Sequence, residues 1–321
     1  MEFKEIGWNG FLIRVPEEMH ITSQGGNAKE GTFLIESEGY MIEFSWTPPP
    51  KKPKPLLTIV ETIVDRAKKE ARKRKEKLTV EERKETFVNN HEAIYLHLKS
   101  SIEERYYTWQ CPESERLISL RFIISPFDEK ARNFVKQFLS TLKCHMDEKN
   151  IWSVMKIRFE APKSFLLSEA RFAVGRAHIA LTEDKLSAFE ERSKNIYVDY
   201  FSMANVMFKD TYKNPEKWFE KNYLKEFKKT LKKRRINFET SGAKRLNNHR
   251  IVIKQAKKMS GLYTRSTDLC SVALWYCPEM NRMYALALNS RVARPAFLKR
   301  RLSEEEHKAL FNAVLESFRC H

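Results

Sequence analysis

The sequence predicts an α+β chain of two similar domains, each a mainly antiparallel β-sheet flanked by a long helix and a C-terminal helix. Three observations predict it. Trp109-Gln110-Cys111-Pro112-Glu113 returns as Trp275-Tyr276-Cys277-Pro278-Glu279, Asn89-Asn90-His91 returns as Asn247-Asn248-His249, and Leu142-Lys143-Cys144-His145 returns as Phe318-Arg319-Cys320-His321. Three landmarks in one order read as a tandem duplication. Apolar residues recur with period two in short runs and with helical spacing in two longer runs per copy. The 321 residues suffice for two ordinary domains, placed at 1–150 and 151–321.

The elements of the first copy follow in order. Residues 11–15 read as a strand closed by Pro16, with further strands at 32–36 and 40–46 around a turn at Glu38-Gly39. Pro48, Pro49, Pro50, Pro53 and Pro55 make the next segment stiff and extended, because proline cannot continue a sheet ladder. Leu56, Ile59, Val60, Ile63, Val64, Ala67 and Ala71 then mark a helix over 56–77, with basic last turns that suit its C-terminus. Strands at 79–88, 92–99, 105–111 and 116–124 form a meander. A closing helix over 128–143 buries Phe134, Val135, Phe138, Leu139 and Leu142.

The second copy repeats the order. A strand includes Ile157-Arg158-Phe159, an extra stretch occupies 166–184, and strands lie near 186–190 and 196–201. The long helix starts at Asn214 as N-cap with Pro215 in first position, and buries Trp218, Phe219, Tyr223, Leu224, Phe227 and Leu231. Strands follow near 236–240, 250–255, 267–275 and 282–289. Ser303 with Glu306 opens the last helix as a capping box.

An antiparallel sheet with helices against it buries these faces most simply. The early strand with Pro16, the long helix, and the turn Asn90-His91-Glu92-Ala93 into a strand resemble the PsbP-like superfamily, which includes photosystem II extrinsic proteins, bacterial lipoproteins and a Ran GTPase-release factor. The resemblance implies that each copy is a PsbP-like domain. It implies a binding or assembly role and no catalytic residue.

Four of the five cysteines belong to the repeat, Cys111 with Cys144 and Cys277 with Cys320. The preferred reading is a structural disulfide in each copy, tying the closing helix to the sheet. Ordinary burial of small thiols competes with it. So does a tetrahedral metal site of His91, Cys111, Cys144 and His145, with His249, Cys277, Cys320 and His321, though no compact ligand spacing supports one. No metal or other cofactor is expected. His91 and His249 read as turn residues capping a strand, and Trp109 and Trp275 as core aromatics.

The net charge of +17 is uneven. Residues 1–150 hold 25 Lys and Arg against 24 Asp and Glu, while residues 151–321 hold 34 against 18. If the copies share a fold, the fold does not require this charge, so an anionic partner is expected. Three clusters carry it: Lys228, Lys229, Lys232, Lys233, Arg234 and Arg235 at the end of the long helix; Lys244, Arg245, Lys257 and Lys258 in the following hairpin; and Arg291, Arg294, Lys299, Arg300 and Arg301 near the last turn. Lys and Arg neutralise phosphate and release counterions, and Phe297 or Tyr263 offers a stacking face. The expectation is a non-enzymatic RNA- or ribonucleoprotein-binding factor, such as one associated with ribosomes. Its near-neutral first copy would hold a protein partner or a second molecule of itself. The alternative is an adaptor for an acidic protein. No Gly-rich phosphate loop, HExxH, Cys-x-x-Cys or Ser-His-Asp set points to an enzyme. No apolar run is long enough to cross a membrane and the first residues lack a secretory h-region, so a cytoplasmic location is expected. Scarce Gly and 31% charged residues are a thermophile-like bias.

Overall fold

The computed structural model describes residues 2–210, 215–231, 237–246, 248–261, 263–295, 297 and 302–320. Its sheets are antiparallel and dominate the chain, which makes the class α+β. Contacts divide the chain into Met1–Val154 and Met155–His321.

The first unit opens with β1 (Phe3–Trp8) and β2 (Phe11–Pro16), joined by a two-residue turn at Asn9 and Gly10 with left-handed φ of 50° and 84°. Strands β3 (His20–Gly26), β4 (Gly31–Ser37) and β5 (Tyr40–Thr47) run on as a meander. The proline-rich link leads into α1 (Leu56–Lys73). A second meander, β6 (Thr79–Val88), β7 (His91–Lys99), β8 (Glu103–Cys111) and β9 (Arg116–Ile124), returns to pair β9 with β5. The seven-stranded order is β3-β4-β5-β9-β8-β7-β6. Helix α2 (Glu129–Thr141) is capped by Asp128, whose side chain accepts from the Ala131 amide, and β10 (Lys149–Val154) then pairs with β1. Gly7 is required at that pairing, since a Cβ there would meet the Ile151 carbonyl oxygen at 2.3 Å.

The core of this unit is aromatic. Phe33 and Phe44 stack at 4.3 Å, with Phe11 edge-on to both, and Phe138 of α2 lies against Phe44 and Phe122. Such pairs add about 0.5–1.5 kcal/mol each beyond their burial. Val60 and Val64 of α1 pack separately on Ile94, Leu96 and Leu98 of β7.

The second unit comprises β11 (Ile157–Pro162), β12 (Leu166–Ala173), β13 (Arg176–Leu186), β14 (Glu191–Ser202), α3 (Ala204–Asp210), α4 (Pro215–Trp218), α5 (Leu224–Thr230), β15 (Glu239–Leu246), β16 (His249–Ser260), β17 (Thr264–Cys277), β18 (Arg282–Pro295) and α6 (Glu304–Ser317). Its sheet order is β12-β13-β14-β18-β17-β16-β15, strand for strand the order of the first unit.

Several sequence expectations change here. The extra stretch at 166–184 is the hairpin β12–β13, which has its counterpart in β3–β4, and residues 187–190 are a turn closed by the Ser187 amide on the Glu190 carbonyl. Strands β1, β3 and β10 lack a strong apolar alternation and were not expected. The long helix of this unit is not continuous. A π-helical turn at Phe219–Tyr223 separates α4 from α5. The extra residue in such a turn rotates the helix face, and Trp218, Phe219, Tyr223 and Phe227 are all buried, around Tyr197, Val272 and Leu274. Asn214, the expected cap, lies outside the described residues. Ser303 caps α6 as expected, accepting from the Glu306 amide.

His307 of α6 is 4% exposed between Ser271 and Ser290, whose hydroxyls lie 3.0 and 2.8 Å from its ring nitrogens. Burial holds its pKa down to about 4, helped by Lys194. A base whose folded pKa is depressed takes up its proton more readily when unfolded. Stability is therefore complete above the unfolded pKa near 6.5 and falls as pH drops from there towards 4, by about 3 kcal/mol in all. Urea unfolding at pH 7 and pH 4.5 should show this loss in the second unit, and His307→Gln should reduce the difference.

Candidate functional sites: two Cys/His clusters and a basic edge

Three segments converge at one point in the first unit. Cys111 ends β8, where Pro112 stops the ladder and the Glu115 amide closes a turn on the Pro112 carbonyl. His91 begins β7, directly after Asn89 and Asn90, both in the left-handed region with φ of 49° and 64°. Asparagine tolerates that conformation, and so turns the chain at the spot that aims His91 inward. Cys144 and His145 follow α2. Lys143 is tied to Leu12 by a pair of backbone hydrogen bonds of 2.7 and 2.9 Å, and the Asn89 side-chain amide donates to the Leu142 carbonyl. The tail is thus fastened to β2 and to the β7 turn at once.

Their donor atoms meet. Cys144 Sγ is 3.3 Å from His91 Nε2 and 3.6 Å from His145 Nδ1, and Cys111 Sγ is 3.3 Å from His145 Nδ1. All four ligand atoms lie within 4.8 Å of one another. Both sulfurs are buried, the His91 side chain is 10% exposed and that of His145 is 32% exposed.

The second unit repeats the construction. His249 begins β16 after Asn248 with φ of 62°, Cys277 ends β17 before Pro278, and Cys320 follows Arg319, which exchanges backbone hydrogen bonds of 2.7 and 2.9 Å with Arg158 of β11. His249 Nε2 is 3.3 Å from Cys320 Sγ, and Cys277 completes a buried set of three within the same 4.8 Å. His321 lies outside the described residues. The sequence reading preferred His91 and His249 as turn-capping residues; the structure also brings them against the cysteines, as the competing cluster reading required. None of the five cysteines is disulfide-bonded in this structure.

The surroundings repeat as well. Glu113 Oε2 is 3.4 Å from Cys111 Sγ, and Glu279 Oε2 is 3.3 Å from Cys277 Sγ. Arg116 sends one guanidinium nitrogen to the Asn9 carbonyl at 2.6 Å and another to the Ala28 carbonyl at 2.7 Å; Arg282 reaches the Met155 carbonyl at 2.7 Å, in the turn equivalent to Asn9. Buried indoles of Trp109 and Trp275 lie beside Cys144 and Cys320 and favour their thiolates. A hydrogen bond from the Cys144 thiol holds Cys111 well below the usual thiol range and pushes Cys144 up, so the pair shares one proton. Burial dominates in the second unit, raising Cys277 to about 12 and Cys320 above its ordinary value.

The hydrogen-bonded set most like an enzyme centre lies elsewhere. Asp199, 2% exposed, accepts from Tyr223 Oη at 2.9 Å and sits 2.8 Å from His178 Nδ1. Burial and the Asp199 charge raise Tyr223 well above the usual phenol range. The set orients a buried carboxylate, which requires such donors.

The basic residues expected to bind polyanions divide by position. Lys244 and Arg245 are exposed on β15, and Lys257 is exposed and Lys258 half-buried on β16. Lys244 pairs with Glu316 at 2.8 Å and Lys257 with Glu304 at 2.7 Å. Arg291 and Arg294 are half-buried in β18, Arg294 facing Glu190 at 3.8 Å. Lys232, Lys233, Arg234, Arg235, Lys299, Arg300 and Arg301 lie outside the described residues, as do the side chains of Lys228 and Lys229. Phe297 and Tyr263 are 75% and 87% exposed.

No known family matches the chain, and no curated protein does. Among solved structures it is similar to the cyanobacterial PsbP protein CyanoP of Synechocystis sp. PCC 6803, at 8% identity and a TM-score of 0.36, covering 44% of this chain and 91% of that one. It is also similar to the immunity protein TplEi of the T6SS from Pseudomonas aeruginosa. The apo form matches at 12% identity and a TM-score of 0.31 over 99% of this chain and 97% of that one. The form complexed with "L" peptide matches at 13% and 0.31 over 99% and 98%. No helix among the described residues is long and apolar enough to cross a membrane.

Arg116 donates to two carbonyls of separate loops, and its charged hydrogen bonds are of the stronger kind. Arg116→Met should lower the stability of the first unit by about 3 kcal/mol, read as a shifted urea midpoint with an unchanged slope, and Arg116→Lys should recover part of it.

Proposed function

We propose that the chain is a non-enzymatic binding protein made of two copies of one PsbP-like domain, and that the second copy holds RNA or a ribonucleoprotein by its phosphates. One observation carries this reading. The equivalent edge hairpins of the two sheets have opposite charge. Strands β6 and β7 bear Glu81, Glu82, Glu85 and Glu92 with Arg83, Lys84 and Lys99. Strands β15 and β16 bear only Glu239 against Lys244, Arg245, Arg250, Lys254, Lys257 and Lys258. Shared strand order means that the sheet itself does not dictate this exchange.

Most of these cations are available to a ligand. The pairs Lys244–Glu316 and Lys257–Glu304 are roughly half exposed, and exposed pairs of that kind are worth about 0–1 kcal/mol. Phosphates can replace the carboxylates at little cost. Lys254 is different: it is 5% exposed, lies 3.0 Å from Glu220 and sits over the Phe219 ring, so its part is structural. Tyr263 lies between β16 and β17, where an exposed ring could stack on an unpaired base. The near-neutral first copy would then serve a protein partner or a second molecule of the chain.

The test is binding of single-stranded RNA across a salt series. Replacing Lys244, Arg245, Arg250, Lys257 and Lys258 by Ser should weaken it at least about tenfold and lower the salt slope by about 0.7 for each lost phosphate contact. Equal binding by the variant would refute the reading. Recovery of a ribonuclease-resistant complex with an acidic protein, lost in the same variant, would favour the adaptor instead.

A further inference from the structure

We infer that each unit binds one tetrahedral divalent metal ion of the zinc type, held in the first unit by His91 Nε2, Cys111 Sγ, Cys144 Sγ and His145 Nδ1, and in the second by His249, Cys277 and Cys320 among its donors. The inference is independent of polyanion binding.

Geometry carries it first. Zinc bonds of about 2.3 Å to sulfur and 2.0–2.1 Å to imidazole nitrogen put tetrahedral sulfur–nitrogen edges at about 3.5 Å. The observed sulfur–nitrogen separations of 3.3, 3.3 and 3.6 Å in the first unit, and 3.3 Å in the second, are of that length. The donors come from three segments far apart in sequence, so local turn geometry does not explain their meeting. A disulfide would employ the two sulfurs and leave two histidines aimed at them without a task.

Charge carries it second. Glu113 and Glu279 each lie against a cysteine sulfur. Metal binding would release the remaining thiol protons, and the cation would then offset the repulsion between the thiolates and the neighbouring carboxylate. With four protein donors and buried sulfurs, the first site has no open position for substrate, which makes it structural. Its task is to fasten the tail behind the closing helix to the ends of two strands. Binding of the metal would thereby contribute directly to folding.

The full chain, purified without chelator, should contain about two zinc ions per molecule. Cobalt(II) in their place should give the intense visible bands and thiolate charge-transfer absorption of tetrahedral sulfur–nitrogen sites. Cys111→Ser with Cys144→Ser should halve the metal content and the cobalt signal, and Cys277→Ser with Cys320→Ser should halve them by loss of the other site. Because either variant could misfold, the wild-type chain is also titrated with a chromophoric chelator, where metal release should accompany a fall in thermal stability. Two results would overturn the inference: an intact mass and thiol titration showing Cys111–Cys144 and Cys277–Cys320 oxidised in the reduced-handling preparation, or unmodified thiols that bind neither zinc nor cobalt.

Discussion

The backbone pairing that follows each closing helix is the constraint on which the other features rest. In the first unit Leu12 and Lys143 exchange hydrogen bonds; in the second Arg158 and Arg319 do. A helix end has carbonyls with no intrahelical partner, and here the chain leaving it is caught at once by the strand that follows the first turn of the hairpin, β2 in the first unit and β11 in the second. That catch places Cys144 and Cys320 in the core, sets the sulfur against His91 or His249, and fixes the direction in which Phe138 or Phe318 meets the aromatic cluster. Arg116 and Arg282 brace the turn that leads into the same strand.

The units are alike at several buried positions and differ in charge on the outer hairpin. The strand order, the Trp-x-Cys-Pro-Glu segments, the arginine on the opening turn and the histidine after paired asparagines are alike. They lie where a change would leave a buried polar group without a partner, a costly event. Charge on the outer hairpin differs. There water screens each side chain and single substitutions change stability little. Charge can therefore differ there at little cost to the fold.

Much of the architecture was legible in the sequence because the strongest signals are local. Asp128 and Ser303 announce the closing helices, and Val135 and Phe138 or Phe311, Val314 and Leu315 mark their buried faces. Strands β1, β3 and β10 were not legible. Their burial is set by neighbours rather than by alternation, as in His20–Gly26, where only Ile21 is buried. The π-helical turn at Phe219–Tyr223 was hidden too, since a run so rich in aromatics satisfies helical spacing in more than one phase. The Cys/His clusters were legible as residues and illegible as an arrangement. His91 and Cys144 stand 53 positions apart, and no local spacing rule reaches that far; only their joint recurrence hinted that they meet.

The Leu12–Lys143 and Arg158–Arg319 pairings also bear on how the chain is made. Each links the start of a unit to its end across about 130 or 160 residues, a loop whose closure is entropically slow to achieve. Neither unit can be completed until its final residues have left the site of synthesis. While the polypeptide grows, the first unit cannot close this pairing before Lys143 is made, and a chaperone or an early encounter with the wrong neighbour would act on it before then.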